Sequence, residues 1–178
     1  MRIDNVKRIS TILKMKSRPA YHLAKSGDFE SAQFLVTQTV PDCSVFKNLN
    51  GFVLPVMKPK GNQIPLALAQ YMASHSNLTL YDSVYLQPAV HGSAMVERLY
   101  YQPHFSGLVK PGNYIIVDDV YTTGQTLKSL KNFLESKGAN VTGAWCLGSA
   151  ATTMFEPNRL LLKMLTAKFP AISNYFDI

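Results

Sequence analysis

Residues 114 to 126 read YIIVDDVYTTGQT. Tyr114, Ile115, Ile116 and Val117 are aromatic or β-branched, the composition of a short buried strand, and two adjacent carboxylates, Asp118 and Asp119, close the run. A threonine-glycine turn follows, and residues 124 to 137 carry a helical period that Gly138 ends in the position of a C′ cap. VTGAWCL (141 to 147) is a second apolar, strand-like run. Strand, helix and strand within about 35 residues is the signature of a βαβ unit, which demands a parallel sheet.

Upstream the same pattern recurs. GFVLPV (51 to 56) reads as a buried parallel strand, and the loop MKPKGN (57 to 62) leads into QIPLALAQYMASH. Leu66, Leu68, Ala69 and Met72 give that segment a helical face, with Pro65 tolerated in the first turn. LTLYDSVYLQP (78 to 88) alternates enough to be a strand. Residues 89 to 113 contain Gly, Pro and His without a clean period and read as a long loop or mobile excursion of the kind that serves as a lid. Asp28 stands as an N-cap before FESAQFLVTQ, and NRLLLKMLTAKF (158 to 169) is a further helical stretch.

The expected fold is α/β with three layers: a twisted, mostly parallel sheet flanked by helices. Residues 1–50 form a helical N-terminal hood or extension, and residues 51–178 the α/β domain with its C-terminal helix. A chain of 178 residues with 47% apolar content supports one compact unit of this size.

The net charge is +7 and it is lopsided. Arg2, Lys7, Arg8, Lys14, Lys16, Arg18 and Lys25 face one acid, Asp4, between Met1 and Ser26, a local excess of +6. Ile3, Val6, Ile9, Ile12 and Leu13 recur at helical spacing there, so an amphipathic helix with a solvated basic face is expected, which leaves nucleic-acid contact open as a second use of that face. Cys43 and Cys146 are the only cysteines and form no C-x-x-C pair, which excludes a readable disulfide framework or zinc ribbon. No apolar run approaches the roughly 20 residues of a membrane span, and no secretory signal is readable. A soluble cytoplasmic protein is expected.

In open parallel sheets ligands bind beyond the carboxyl ends of strands, where Asp118 and Asp119 fall. Thr122, Thr123, Gly124, Gln125 and Thr126 lie at a helix entry, where unpaired backbone N–H groups and the helix dipole favour an anion such as a terminal phosphate. Neither G-x-x-x-x-G-K-[ST] nor G-x-G-x-x-G occurs, which argues against nucleoside triphosphate hydrolysis and dinucleotide binding. Carboxylates accept hydrogen bonds from a cis-diol and can hold Mg²⁺ directly or through water. A sugar phosphate, and more narrowly a ribose 5-phosphate, satisfies both ends.

YIIVDDVYTTGQT resembles the motif of type I phosphoribosyltransferases that binds 5-phosphoribosyl 1-diphosphate (PRPP), and DDVYTTGQTL is most similar to the phosphoribosyltransferase domain of ComF-type proteins. The resemblance spans roughly residues 51 to 148. It implies that Asp118 and Asp119 are catalytic, bind the ribose hydroxyls and hold Mg²⁺. It also places Val120, Tyr121 and residues 122 to 126 at the ribose 5-phosphate. LPVMKPKGNQIPLALAQYM would supply a pyrophosphate loop with Lys58, Lys60, Gly61 and Asn62, helped by His91 or Arg98 from the mobile segment. Tyr121 replaces an aliphatic residue of the general motif, and Thr122 stands where hypoxanthine-guanine enzymes carry a third acid, so 6-oxopurines are disfavoured. The cysteine-rich zinc segment of many ComF-type proteins has no counterpart here.

The implied reaction displaces pyrophosphate from PRPP by a nitrogenous base, with Mg²⁺ on the leaving group and, by analogy with the family, a homodimer. The alternative is a non-catalytic sensor of PRPP or ribose phosphate that contacts nucleic acid through the basic N-terminal helix.

Overall fold

The computed structural model of the chain describes residues 6–58, 61–87, 103–122, 124–150 and 166–167. Its centre is a five-stranded, wholly parallel sheet. In chain order the strands are β1 (Val6–Thr11), β2 (Asn50–Pro55), β3 (Asn77–Leu80), β6 (Gly112–Tyr121) and β7 (Ala139–Ser149), arranged in space as β1-β7-β6-β2-β3. Two short strands, β4 (Val84–Leu86) and β5 (Phe105–Gly107), form a separate antiparallel pair. The helices are α1 (Ile12–Lys16), α2 (Pro19–Ser26), α3 (Phe29–Thr39), α4 (Ile64–Ser74) and α5 (Gln125–Ser136).

Alternation along the strands divides the core into two layers. Val53, Ile115, Val117 and Leu147 face a cluster built with α2, α3 and α4. Leu54, Tyr114, Ile116, Ala144 and Cys146 face Leu127, Leu130 and Leu134 of α5. The expected three-layer α/β architecture is therefore the one this chain builds. The central βαβ unit stands as read, with α5 running from Gln125 to Ser136 and Gly138 in the left-handed region at φ 85°.

The N-terminal segment differs from the expected basic helix. Val6–Thr11 is an edge strand that pairs parallel to β7, from Val6↔Ala144 to Thr11↔Ser149. Val6, Ile9 and Thr11 are β-branched, and pairing with an exposed strand outweighs a helical spacing that rests on few residues. The basic groups are thereby dispersed: Lys7 and Arg8 on β1, Lys14 and Lys16 on α1, Lys25 on α2. Met15, Tyr21, Ala24, Ala32, Leu35, Val36 and Phe46 share one buried cluster with Val53, Leu68 and Val117, so residues on both sides of position 50 contribute to one core. Asp28 does cap α3, accepting from the Ser31 N–H at 3.0 Å.

The expected strand over 78 to 88 divides in two. Tyr81 turns inward, its ring 5.4 Å from that of Phe52 and 5.6 Å from that of Tyr114, and its hydroxyl donates to the Leu108 carbonyl at 3.0 Å. The chain thus leaves the sheet after Leu80. Within the expected lid, residues 105–107 form β5 and 112–113 open β6. The rest of its centre, with His91 and Arg98, lies outside the described residues, as do Lys60, Thr123 and nearly all of the expected helix 158–169. Among the described residues no helix is long and apolar enough to cross a membrane.

Candidate functional site

Strand order reverses between β6 and β2: from β2 the chain crosses through α4 to β3, and from β6 through α5 to β7, on opposite sides. Such a switch point opens a crevice at the carboxyl ends. Here the crevice has a definite origin in register. The β2 ladder with β6 ends at Pro55↔Val117, followed by one bond from the Val56 N–H to the Val117 carbonyl at 2.7 Å. The β7 ladder continues on to Tyr121↔Ser149. Residues 118 to 121 are therefore held rigidly on one edge while the β2 edge stands open.

Because β6 stays paired through Tyr121, the two acids lie within a strand rather than in a turn, and their side chains set out from opposite faces. Asp118 is level with Cys146 of β7, which is itself level with Arg8 of β1, on the α5 side. Asp119, only 6% exposed, leaves on the α2 side and forms an ion pair between its Oδ2 and the Lys25 ammonium. The pair is bridged at its base by the Asp119 N–H, which donates to Asp118 Oδ1 at 2.8 Å.

The electrostatics of the two acids differ accordingly. Burial, and next the neighbouring Asp119 charge, hold the Asp118 carboxyl well above the usual carboxylate range, against the pull of the backbone donor and of Lys25. Burial by itself would lower the Lys25 ammonium, but the Asp119 carboxylate beside it and its hydrogen bond raise it overall. The Cys146 thiol is pushed far up by burial and then by Asp118 and Asp119, so it remains an un-ionised packing group.

Asp118, Val120, Tyr121, Thr122, Gly124, Thr126 and Leu127 line one pocket at the entry of α5. Gly124 caps the helix at φ 75° and supplies no side-chain acceptor, and the pocket lies at the positive end of the helix dipole. A Cβ on Gly124 would come within 2.9 Å of the Tyr121 hydroxyl, so glycine is needed there both for its backbone and for the ring packed against it. The Arg8 guanidinium lies over that ring, 4.5 Å from its centroid. Gln125 points its amide along the helix to Ser129 Oγ at 3.5 Å.

Of the residues read from sequence, the pocket thus gathers Asp118, Val120, Tyr121, Thr122, Gly124 and Thr126, while Asp119 stands behind it on Lys25. Lys58 is exposed; Gly61 adopts φ 96°, and Asn62 Oδ1 accepts the Ile64 N–H at 3.3 Å, holding the end of the loop to α4. Two residues of this neighbourhood, Lys25 and Arg8, carry no local motif. Nothing in the sequence separates them from the other basic residues of the N-terminal segment, and only the packing of α2 and β1 brings them here.

No protein-family model matches the chain. Two curated proteins are similar to it: Protein TraN of Escherichia coli, 34% identical over 142 residues (73% of this chain, 32% of that protein), and an uncharacterized protein of Haemophilus influenzae, 34% identical over 130 residues (66% and 29%). The chain spans about a third of the length of these relatives. Among solved structures, a purine phosphoribosyltransferase from Pyrococcus horikoshii superposes with a TM-score of 0.40 at 14% identity, covering 86% of this chain and 84% of that one. An orotate phosphoribosyltransferase from Aeropyrum pernix does so at 0.38 and 22%, covering 83% and 72%.

Proposed function

We propose that the chain is a phosphoribosyltransferase that binds PRPP and transfers ribose 5-phosphate to a nitrogenous base with release of pyrophosphate. The observation that carries this reading is the pocket itself: one carboxylate, Asp118, and the first turn of α5 border the same cavity. A ligand with a phosphate at one end and hydroxyls a few ångströms away fits that pairing of anion cradle and hydrogen-bond acceptor.

In this reading the turn from Thr122 to Thr126 holds the 5-phosphate, Asp118 accepts from a ribose hydroxyl, and Asp119 adds a second acceptor. The carboxylates act electrostatically on the positive charge that develops at the anomeric carbon and move no proton. Lys58, Lys60, Gly61 and Asn62 receive the diphosphate, with His91 or Arg98 assisting. The residues fit a magnesium ion that arrives on its ligand: Asp118 offers one carboxylate, Asp119 is already neutralised by Lys25, and among the described residues no group of three His, Cys, Asp or Glu stands ready to cage a metal unaided. Bound there, Mg²⁺ would neutralise the diphosphate leaving group. Thr122 in place of an acid disfavours 6-oxopurine acceptors. Cytoplasmic location and assembly as a homodimer belong to the same proposal.

The test is calorimetric titration of PRPP with and without Mg²⁺ into the chain and into an Asp118→Asn, Asp119→Asn double variant. Binding that weakens at least about tenfold in the variant supports the site. A panel of nucleobases then reads turnover by pyrophosphate release. Absence of PRPP binding in the unmodified chain would sink the proposal, and binding without turnover of any base would reduce the chain to a ribose-phosphate sensor.

A further inference from the structure

Although the N-terminal segment forms no single amphipathic helix, its cations stay together in the fold. β1 passes directly into α1, with Thr11 as both the last residue of the strand and the N-cap of the helix. Lys7, Arg8, Lys14 and Lys16 are all exposed along this path. β1, α1 and α2 contain no Asp or Glu, and neither does β7, the strand with which β1 pairs. Other cations are already engaged: Lys25 pairs with Asp119, Lys131 pairs with Glu135, and Arg18 donates to the Thr39 hydroxyl at 3.3 Å. Among the described residues no acid pairs with Lys7, Arg8, Lys14 or Lys16.

The path is anchored from behind. Met15 lies between Lys14 and Lys16, is fully buried, and packs on Gly148 of β7, where any Cβ would collide with its terminal methyl. That contact fixes which side of α1 meets the sheet, so the two lysines stand toward solvent. The Arg8 guanidinium lies over the Tyr121 ring, which restrains a long side chain without neutralising it. β1 is also the terminal strand of the sheet, so its outer backbone N–H groups have no strand partner among the described residues. Ser10, Thr11 and Ser17 place hydroxyls among the cations. At roughly 3.3 Å per strand residue and 1.5 Å per helical residue, Lys7 and Lys16 are at most about 20 Å apart along this path.

We propose that the edge formed by β1 and α1 is a nucleic-acid contact surface that takes the sugar-phosphate backbone without reading sequence. Four unneutralised cations in an acid-free zone create a positive potential, and a polyphosphate chain meets it along its whole length. Side-chain hydroxyls and free backbone N–H groups are the usual further ligands of phosphate oxygens. A second copy of this chain is disfavoured at the same edge, because strand-to-strand pairing would set Lys7 and Arg8 against their own counterparts. An acidic protein segment matches the charge, but only a nucleic acid repeats its anions regularly over an arc of this length. None of the four cations belongs to the lining of the pocket at α5, so the inference stands apart from the sugar-phosphate reading of that pocket.

The test is fluorescence anisotropy on the full chain with labelled mixed-sequence DNA of about 20 nucleotides, single-stranded and as its duplex. Binding with Kd below about 10⁻⁴ M is expected at about 50 mM salt, weakening steeply as salt rises. With four phosphates neutralised, the slope of log K against log salt is about −3 for the single strand, and the Lys14→Gln, Lys16→Gln double variant should reduce its magnitude by about 1.4. Lys7→Gln, Arg8→Gln should reduce it equally, and all four changes together should abolish binding. A control, Lys47→Gln, Lys137→Gln, removes the same charge from exposed positions elsewhere and should leave the slope within about 0.5 of the parent. Each variant should melt within about 2 °C of the parent, since exposed substitutions disturb folding little. Failure of the parent to bind either probe overturns the proposal, as does an unchanged slope in Lys14→Gln, Lys16→Gln. Equal weakening by the control overturns it too, because net charge alone would then suffice. Polyglutamate of matched charge that competes as well as the DNA would assign the edge to an acidic protein instead. If the β1 variant does not fold, the α1 variant and the control decide.

Discussion

Replacing Lys25 by Met leaves the Asp119 carboxylate buried without its cation, and the cost can be bounded from the geometry. Breaking a fully buried pair by removing one partner costs about 3–5 kcal/mol, whereas a fully exposed pair contributes only about 0.2–1 kcal/mol. Here the carboxylate end is only 9% exposed and the ammonium end 38% exposed, so water screens one side only. A loss of about 1–2 kcal/mol is expected, between the two limits. In a chain of this size about 1 kcal/mol moves Tm by roughly 2–4 °C, so Lys25→Met should melt roughly 2–8 °C lower. Asp119→Asn removes the stranded charge, and the double variant should recover most of the loss. Urea unfolding of all four proteins closes the double-mutant cycle, and a coupling of about 1 kcal/mol or more is expected. Additive effects, or a Lys25→Met variant as stable as the parent, would refute the view that Asp119 depends on Lys25 for its burial.

Three further perturbations test other parts of the structure. Phe46→Ala should cost about 3–5 kcal/mol in urea unfolding, since the ring is fully buried, 5.0 Å from Trp145 and 6.3 Å from Tyr71; a loss under about 1 kcal/mol would mean that the segment before β2 does not share the sheet's core. Gly124→Ala should destabilise by about 1–2 kcal/mol through its left-handed backbone, and should weaken phosphate binding because the Tyr121 ring must shift; restoring space with Tyr121→Ala should not recover the stability. Asp118 has its folded pKa raised, so its contribution to stability is present below the unfolded carboxylate value and is lost as pH rises through the folded one. Asp118→Asn should therefore be more stable than the parent at pH 7, by roughly 1 kcal/mol, with the difference fading toward about pH 4; a variant that is less stable at pH 7 would contradict the raised pKa.

The βαβ unit around Asp118 was legible because every local signal agreed. Ile115 to Val117 favour a strand, Gly124 and Gly138 bracket the helix, and Leu127, Leu130 and Leu134 keep its apolar face. Asp28 as a cap and Pro65 in a first turn were legible for the same reason. Val6–Thr11 was not, since its apolar spacing is compatible with a helix and only the free edge of β7 selects the strand. The end of β6 was also hidden: the run of apolar residues stops at Val117, but β7 continues to bond the backbone up to Tyr121, and hydrogen bonding to a neighbouring strand leaves no mark on side-chain pattern.

That extension decides the site. Two carboxylates and a threonine-glycine turn were bound to meet at the carboxyl end of a strand, because residues adjacent in the chain are adjacent in space. It took the packed fold to part the acids to opposite faces, to set Asp118 at the pocket, and to match Asp119 with Lys25 from a helix far earlier in the chain. The difference is one of range: strand alternation and helix capping act over a few residues, while the partner of a buried charge is chosen by packing, which brings together groups that the sequence leaves far apart.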